Sequence, residues 1–211
     1  APNSLTYDLV HTFVDPGVIP GFFGWVIPHN KDIAEYGAGV DLSYGLNPRN
    51  VLQRFISKYF HSLGDISRYN PSFALIPIGL RSQTSVIDKN KGHKLIVVGD
   101  AAGQTKSSTG GGVILNTQIG QIAGKYFDNP SLYDKLWKKN FLLTFKLHNQ
   151  INKMFHKSPS RLRAMVESMK DRGLERFLST KGDMDYPHRW FTGFNLLEAI
   201  YIFGPHILSI I

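Results

Sequence analysis

The stretch His93 to Gly124, HKLIVVGDAAGQTKSSTGGGVILNTQIGQIAG, decides how this chain is read. A short apolar run, Leu95 to Val98, ends in Gly99-Asp100, a polar loop follows, and Gly110, Gly111 and Gly112 precede a helical pattern that reaches about Tyr126. A continuous apolar run rich in β-branched residues is the signature of a strand buried on both faces. A strand that stops at Gly-Asp and restarts as a glycine-initiated helix puts ligand-binding groups at the carboxyl end of a sheet. The three glycines permit close backbone approach, and the first N–H groups of the helix have no partner within it. Those donors and the positive end of the helix dipole favour an anionic ligand group by ~0.3–1 kcal/mol. Asp100 would repel a phosphate placed on it, but an acceptor-only side chain suits sugar or ribityl hydroxyls. The pattern points to a cofactor with polyol and anionic parts, against the plain alternative of a glycine-rich strand-helix turn.

Working towards the amino terminus, Phe73 to Ile78 is apolar, with Pro77 marking an edge strand or a strand end. Asn47-Pro48 reads as an N-cap with proline at the first helical position, and Val51, Leu52, Phe55, Ile56, Tyr59 and Phe60 continue it as an amphipathic helix. Phe22 to Ile27 and Ile33 to Leu42 read as two strands joined by a short polar loop, and Leu9 to Val14 as another strand closed by Asp15-Pro16-Gly17. Towards the carboxyl terminus, Leu132, Leu136, Trp137, Phe141, Phe145, His148, Ile151 and Phe155 mark one face of a long helix. Shorter helices are expected from Pro159 and from Phe194. Strands dominate the first half and helices the second, an α/β chain of α+β character. Three segments follow: a substrate-side sheet with one helix over 1–92, the strand-loop-helix over 93–130, and a helical, basic region over 131–211.

The 211 residues are enough for one large domain or two small ones. The absence of cysteine excludes a disulfide scaffold, thiolate metal sites and a cysteine nucleophile within the chain. The apolar run Leu196 to Ile211, broken by Glu198, Gly204, Pro205 and His206, is shorter than the ~20 residues of a spanning helix. Between Ser131 and Arg189 thirteen lysines and arginines face six acidic residues, which is +7 of the net +8. Such a cluster suits an anionic membrane, nucleic acid or an acidic protein, with a merely solvated helix face as the plain alternative. The histidines His11, His29 and His148 show no metal-ligand spacing, so no metal site and no proton donor are assigned.

VVGDAAGQTKSSTGGGVILN resembles the second flavin-binding motif of the geranylgeranyl reductase family, within the p-hydroxybenzoate hydroxylase-like FAD enzymes. PGFFGWVIP, Pro20 to Pro28, resembles that family's aromatic substrate-side motif, P-x-x-Y-x-W-x-F-P, and the intervening YGAGV and ALIPIG segments also fit. Gly99, Asp100, Gly103, Gly110, Gly111 and Gly112 are thereby the implied FAD-binding residues, and Phe23, Trp25 and Pro28 the implied substrate-side residues. Phe23 stands where the family has tyrosine, Ile27 where it has phenylalanine, and Ser107 where a proline is frequent. The G-x-G-x-x-G turn that opens such enzymes does not occur here. Gly37-Ala38-Gly39 is its nearest approach, and Leu42 takes the third glycine position. APNS resembles the continuation of an upstream A-T-G turn, so about half of the complete protein, with the Rossmann part, is expected upstream.

The resemblance implies an FAD-dependent oxidoreductase reducing carbon-carbon double bonds of a prenyl lipid, with NAD(P)H or a ferredoxin-like protein as electron donor. By this reading the isolated chain is inactive, and no catalytic residue is assigned. The protein would be cytoplasmic, peripheral to the membrane through its basic helices, and would not bind nucleic acid. A flavin monooxygenase of the same fold and a non-enzymatic basic binding module are the alternatives.

Overall fold

The computed structural model describes residues 1–211 except Lys89, Phe194 and Ile211, and omits the side chains of residues 207–210. It divides into two compact units, one formed by Ala1–Ala74 with Asn152–Met165 and the other by Leu75–Ile151 with Val166–Ile211. The units cut across the three sequence segments: residues 75–92 group with the glycine stretch, and 152–165 with the sheet.

The first unit is built on an antiparallel sheet in the order β1 (His11–Phe13), β2 (Gly24–Pro28), β3 (Ala34–Ala38). Trp25 pairs with Thr12 on one side and Gly37 on the other. Asn30 Oδ1 accepts from the backbone N–H groups of Asp32 and Ile33, which closes the β2–β3 hairpin. Helix α1 (Pro48–Tyr59) starts as its sequence requires: the Asn47 side chain accepts from Arg49 N, and Pro48 occupies the first turn. Its buried Val51, Leu52, Phe55 and Ile56 pack with Ile19, Val26 and Ala34 to form the core of this unit.

In the second unit β4 (Ser85–Ile87) and β5 (Lys94–Ile96) form an antiparallel pair. Helix α2 (Val113–Lys125) and the 23-residue α3 (Pro130–Asn152) supply its core, with Leu115, Ile119, Tyr133, Trp137, Phe141 and Phe145 buried. Helices α4 (Pro159–Asp171), α5 (Leu174–Lys181) and α6 (Asn195–Ile210) complete the chain. The helix expected at Pro159 starts there, whereas the start expected at Phe194 falls outside the described residues. No described helix is long and apolar enough to cross a membrane.

Two sequence readings are corrected. Leu95 to Val98 is not a strand buried on both faces: Ile96 and Val98 pack against the α2–α3 core, while Leu95 is 56% exposed. The run is apolar on both sides, yet a two-stranded ribbon covered by helices on one side has one face left for solvent. Phe73 to Ile78 forms no strand, and its apolar side chains are exposed. Among the described residues no strand pairs with this segment, and Pro77 lacks the N–H that ladder pairing uses.

Candidate functional site

The candidate residues fall in the two units, each group with its own surroundings. In the first unit Phe23 and Trp25 meet edge to face with ring centroids 5.9 Å apart, as strand alternation predicts for residues two apart. Phe22 stacks on Phe23 at 4.6 Å, and Phe155, from the turn after α3, packs near both rings at 6.4 and 6.1 Å. Trp25 Nε1 donates to Glu35 Oε1 at 3.1 Å. Phe23, Trp25 and Pro28 are all half-buried, Pro28 closing β2, so each keeps part of its apolar surface available. The sequence pattern gave no sign that Phe155 belongs with these rings, since its spacing read only as the last turn of the long helix.

In the second unit the polar loop between Gly103 and Gly110 turns its side chains inward. Gln104 Oε1 accepts from Gly99 N at 2.8 Å while Nε2 donates to the Tyr133 hydroxyl, which in turn donates to Val97 O. Lys106 Nζ meets Asp185 Oδ1 at 2.5 Å, Ser107 Oγ donates to Asn149 Oδ1 at 2.6 Å, and Ser108 Oγ lies 2.6 Å from His148 Nδ1. Burial, with the Lys106 charge added, pushes the His148 imidazole down to about 4, so it is neutral at physiological pH. Two main-chain bonds, Lys106 N to Gly111 O and Gly110 N to Lys106 O, close the loop on the glycines.

The groups left for a ligand are few. Asp100 is exposed, with one oxygen held by the Thr105 hydroxyl at 3.1 Å. No side chain caps Gly112 at the start of α2, whose first residues Val113 and Ile114 are 80% and 51% exposed. Asn116, one turn on, lies against Gly99 and Gly112, and its buried Oδ1 has no partner. Gly99, Gly103 and Gly110 have φ of 68°, 66° and 69°, the left-handed region that favours glycine. Gly103 also touches the Gly79 carbonyl so closely that packing alone accounts for it. His11 is half-buried and His29 exposed, and His148 is spent on the loop. Among the described residues no cluster of histidine and carboxylates could hold a metal.

These residues fit the flavin that the family resemblance implies. An open carboxylate accepts from hydroxyls, an uncapped helix start offers donors to an electron-rich edge, and the unpaired Asn116 acceptor waits for a donor.

The fold is that of a mixed α/β chain matching part of a reductase-like fold. The crystal structure of a geranylgeranyl bacteriochlorophyll reductase-like protein from Thermoplasma acidophilum matches 99% of this chain and 52% of its own, with a TM-score of 0.57 at 18% identity. No family model matches. An uncharacterised protein of Methanocaldococcus jannaschii is 32% identical over 192 residues, covering 84% of this chain and 46% of the relative. A digeranylgeranylglycerophospholipid reductase of Methanopyrus kandleri is 26% identical over 77% of this chain and 44% of its own. The chloroplastic geranylgeranyl diphosphate reductase of Arabidopsis thaliana is 25% identical over 82% and 39%. The chain is thus related to the C-terminal portion of the geranylgeranyl reductase family, and it spans about half the length of the curated relatives it matches.

Proposed function

We propose that this chain is the C-terminal half of an FAD-dependent reductase that acts on carbon-carbon double bonds of a prenyl lipid. The observation that carries this reading is the glycine loop. Its polar side chains are turned into the protein and the Gly110 and Gly111 main chain is bonded within the loop, so that Asp100, the start of α2 and Asn116 Oδ1 remain for a ligand.

Asp100 would hold ribityl hydroxyls, and the start of α2 would sit against the electron-rich edge of the ring system, where preorganised donors stabilise negative charge. When bound, the reduced flavin would supply hydride to one carbon of the double bond while a proton adds to the other, chemistry that belongs to the cofactor and leaves it oxidised. Phe23 and Trp25 provide apolar surface of the kind a prenyl chain requires, at ~0.8 kcal/mol per buried CH₂. The relatives' names support both the substrate class and the reduction.

The test is reconstitution of the complete protein with FAD. A yellow holoprotein bleached by dithionite and reoxidised by a polyprenyl lipid is expected. Bleaching without reoxidation by lipid overturns the reductase reading, and NAD(P)H oxidation that requires oxygen and an aromatic substrate would replace it with a monooxygenase.

A further inference from the structure

Helix α3 has two faces of opposite character. Tyr133, Trp137, Phe141, Thr144, Phe145 and His148 are buried. At about 100° per residue, Lys135, Lys139, Leu143 and Lys146 fall within an arc of roughly 80° on the other side. All four are exposed, Leu143 to 58%. Among the described residues none of these three lysines makes an ion pair. Lys138, at the border, is held by Asp134, the one acidic residue of the helix, whose other oxygen accepts from Thr84. Between Lys135 and Arg163 the chain carries eight lysines and arginines and no acidic residue.

A face that serves only to be solvated mixes both signs, because a one-sign row repels itself within a Debye length of about 8–10 Å. Lys135 to Lys146 spans about 16 Å along the helix axis, so the row is straight and matches a flat array of negative groups. Leu143 sits inside the row, where an apolar side chain is unfavourable in water but can enter the boundary below lipid headgroups. No aromatic ring lies in the arc to stack on bases, which favours lipid over single-stranded nucleic acid.

We propose that the outer face of α3 docks on an anionic lipid bilayer, with Lys135, Lys139 and Lys146 against headgroup phosphates and Leu143 at the apolar boundary. This surface is independent of the flavin reading. The test is co-sedimentation of the complete protein with vesicles of phosphatidylcholine alone or with phosphatidylglycerol added.

Binding to the anionic vesicles only, weakened by salt, is expected. Combined Lys135→Gln, Lys139→Gln and Lys146→Gln substitution should weaken it on the order of a hundredfold. An equal charge reduction elsewhere, by Lys31→Gln, Arg54→Gln and Lys91→Gln, should leave most of the binding. These 211 residues hold no cysteine, so an environment-sensitive dye on Leu143→Cys, with any cysteine outside them replaced by serine, reports the contact with every lysine in place, and a blue shift on anionic vesicles is expected. Equal losses from the two triple variants, no shift of the dye, or preference for duplex DNA over vesicles would each overturn the proposal.

Discussion

The indole of Trp25 lies directly on Gly37, its cross-strand neighbour. A β-carbon at Gly37 would stand 2.1 Å from Cε2 and Cζ2 of the ring. Gly39 seats Phe22 in the same way, at 2.2 Å from Cδ1. Neither glycine has a positive φ, so their role is space rather than backbone freedom. The Gly-Ala-Gly of YGAGV is therefore a bed for aromatic rings and not a phosphate turn.

Gly37→Ala should push the indole off the sheet and strain its hydrogen bond to Glu35. Overpacking of this kind costs about 1–3 kcal/mol. Urea denaturation should show the loss, accompanied by a changed tryptophan emission spectrum. Unchanged stability and emission would mean that the ring has another resting place.

Much of the fold was legible because it rests on local chemistry. Asn47-Pro48 marked the start of α1, the three glycines marked the start of α2, and the recurrence of Trp137, Phe141, Phe145 and His148 marked the inner face of α3. What was not legible depends on distant partners. The loop is clamped by Lys106 to Asp185, Ser107 to Asn149 and Ser108 to His148, pairs 79, 42 and 40 residues apart that leave no periodicity in the sequence. Leu95 to Val98 misled because its composition matches a strand covered on two sides, whereas this chain covers one. β4 was missed because Ser85-Val86-Ile87 is only three residues long and lies between polar neighbours.

The glycines of the motif should separate by role. Gly103→Ala places a β-carbon 1.9 Å from the Gly79 carbonyl oxygen, at a φ of 66°, and neither backbone can yield cheaply. Overpacking and left-handed strain together should cost about 3 kcal/mol or more. Gly111→Ala meets Lys106 Cε and the Thr109 hydroxyl at 3.4 Å and Lys106 Nζ at 3.7 Å, ordinary contacts without a positive φ, so stability should change by less than about 1 kcal/mol. Its expected effect is on flavin affinity, and parallel thermal melts and flavin titrations distinguish the two classes.

His148 makes stability sensitive to acid. Its folded value of about 4 lies below the ordinary 6.5, so the unfolded chain binds the proton more readily. Stability is full above pH 6.5 and falls as pH drops towards 4, by about 3 kcal/mol from this residue. Burial also lowers the values of His188 and His206, which steepens the same limb. His148→Gln, which retains a hydrogen-bonding group near Ser108, should flatten part of that slope in denaturation curves between pH 7 and 4. An unchanged slope would show that the imidazole protonates without cost.

Asn116 offers a test that separates ligand binding from folding. Its Oδ1 is buried without a partner, and replacing an unsatisfied acceptor with an apolar group of similar size is neutral or stabilising. Asn116→Leu should therefore leave the protein without FAD as stable as before or more so. If that oxygen accepts from the bound flavin, the same change should weaken FAD binding roughly fivefold to tenfold, the worth of one hydrogen bond of ~1 kcal/mol. Asp100→Ala should act more strongly, by about 10- to 100-fold, because its carboxylate would make a charge-assisted bond. Titration of FAD fluorescence with the complete protein measures affinity, and thermal melts without FAD measure folding. Tighter folding with weaker binding is the signature expected for Asn116. Equal FAD affinity in all three proteins would show that neither side chain faces the cofactor.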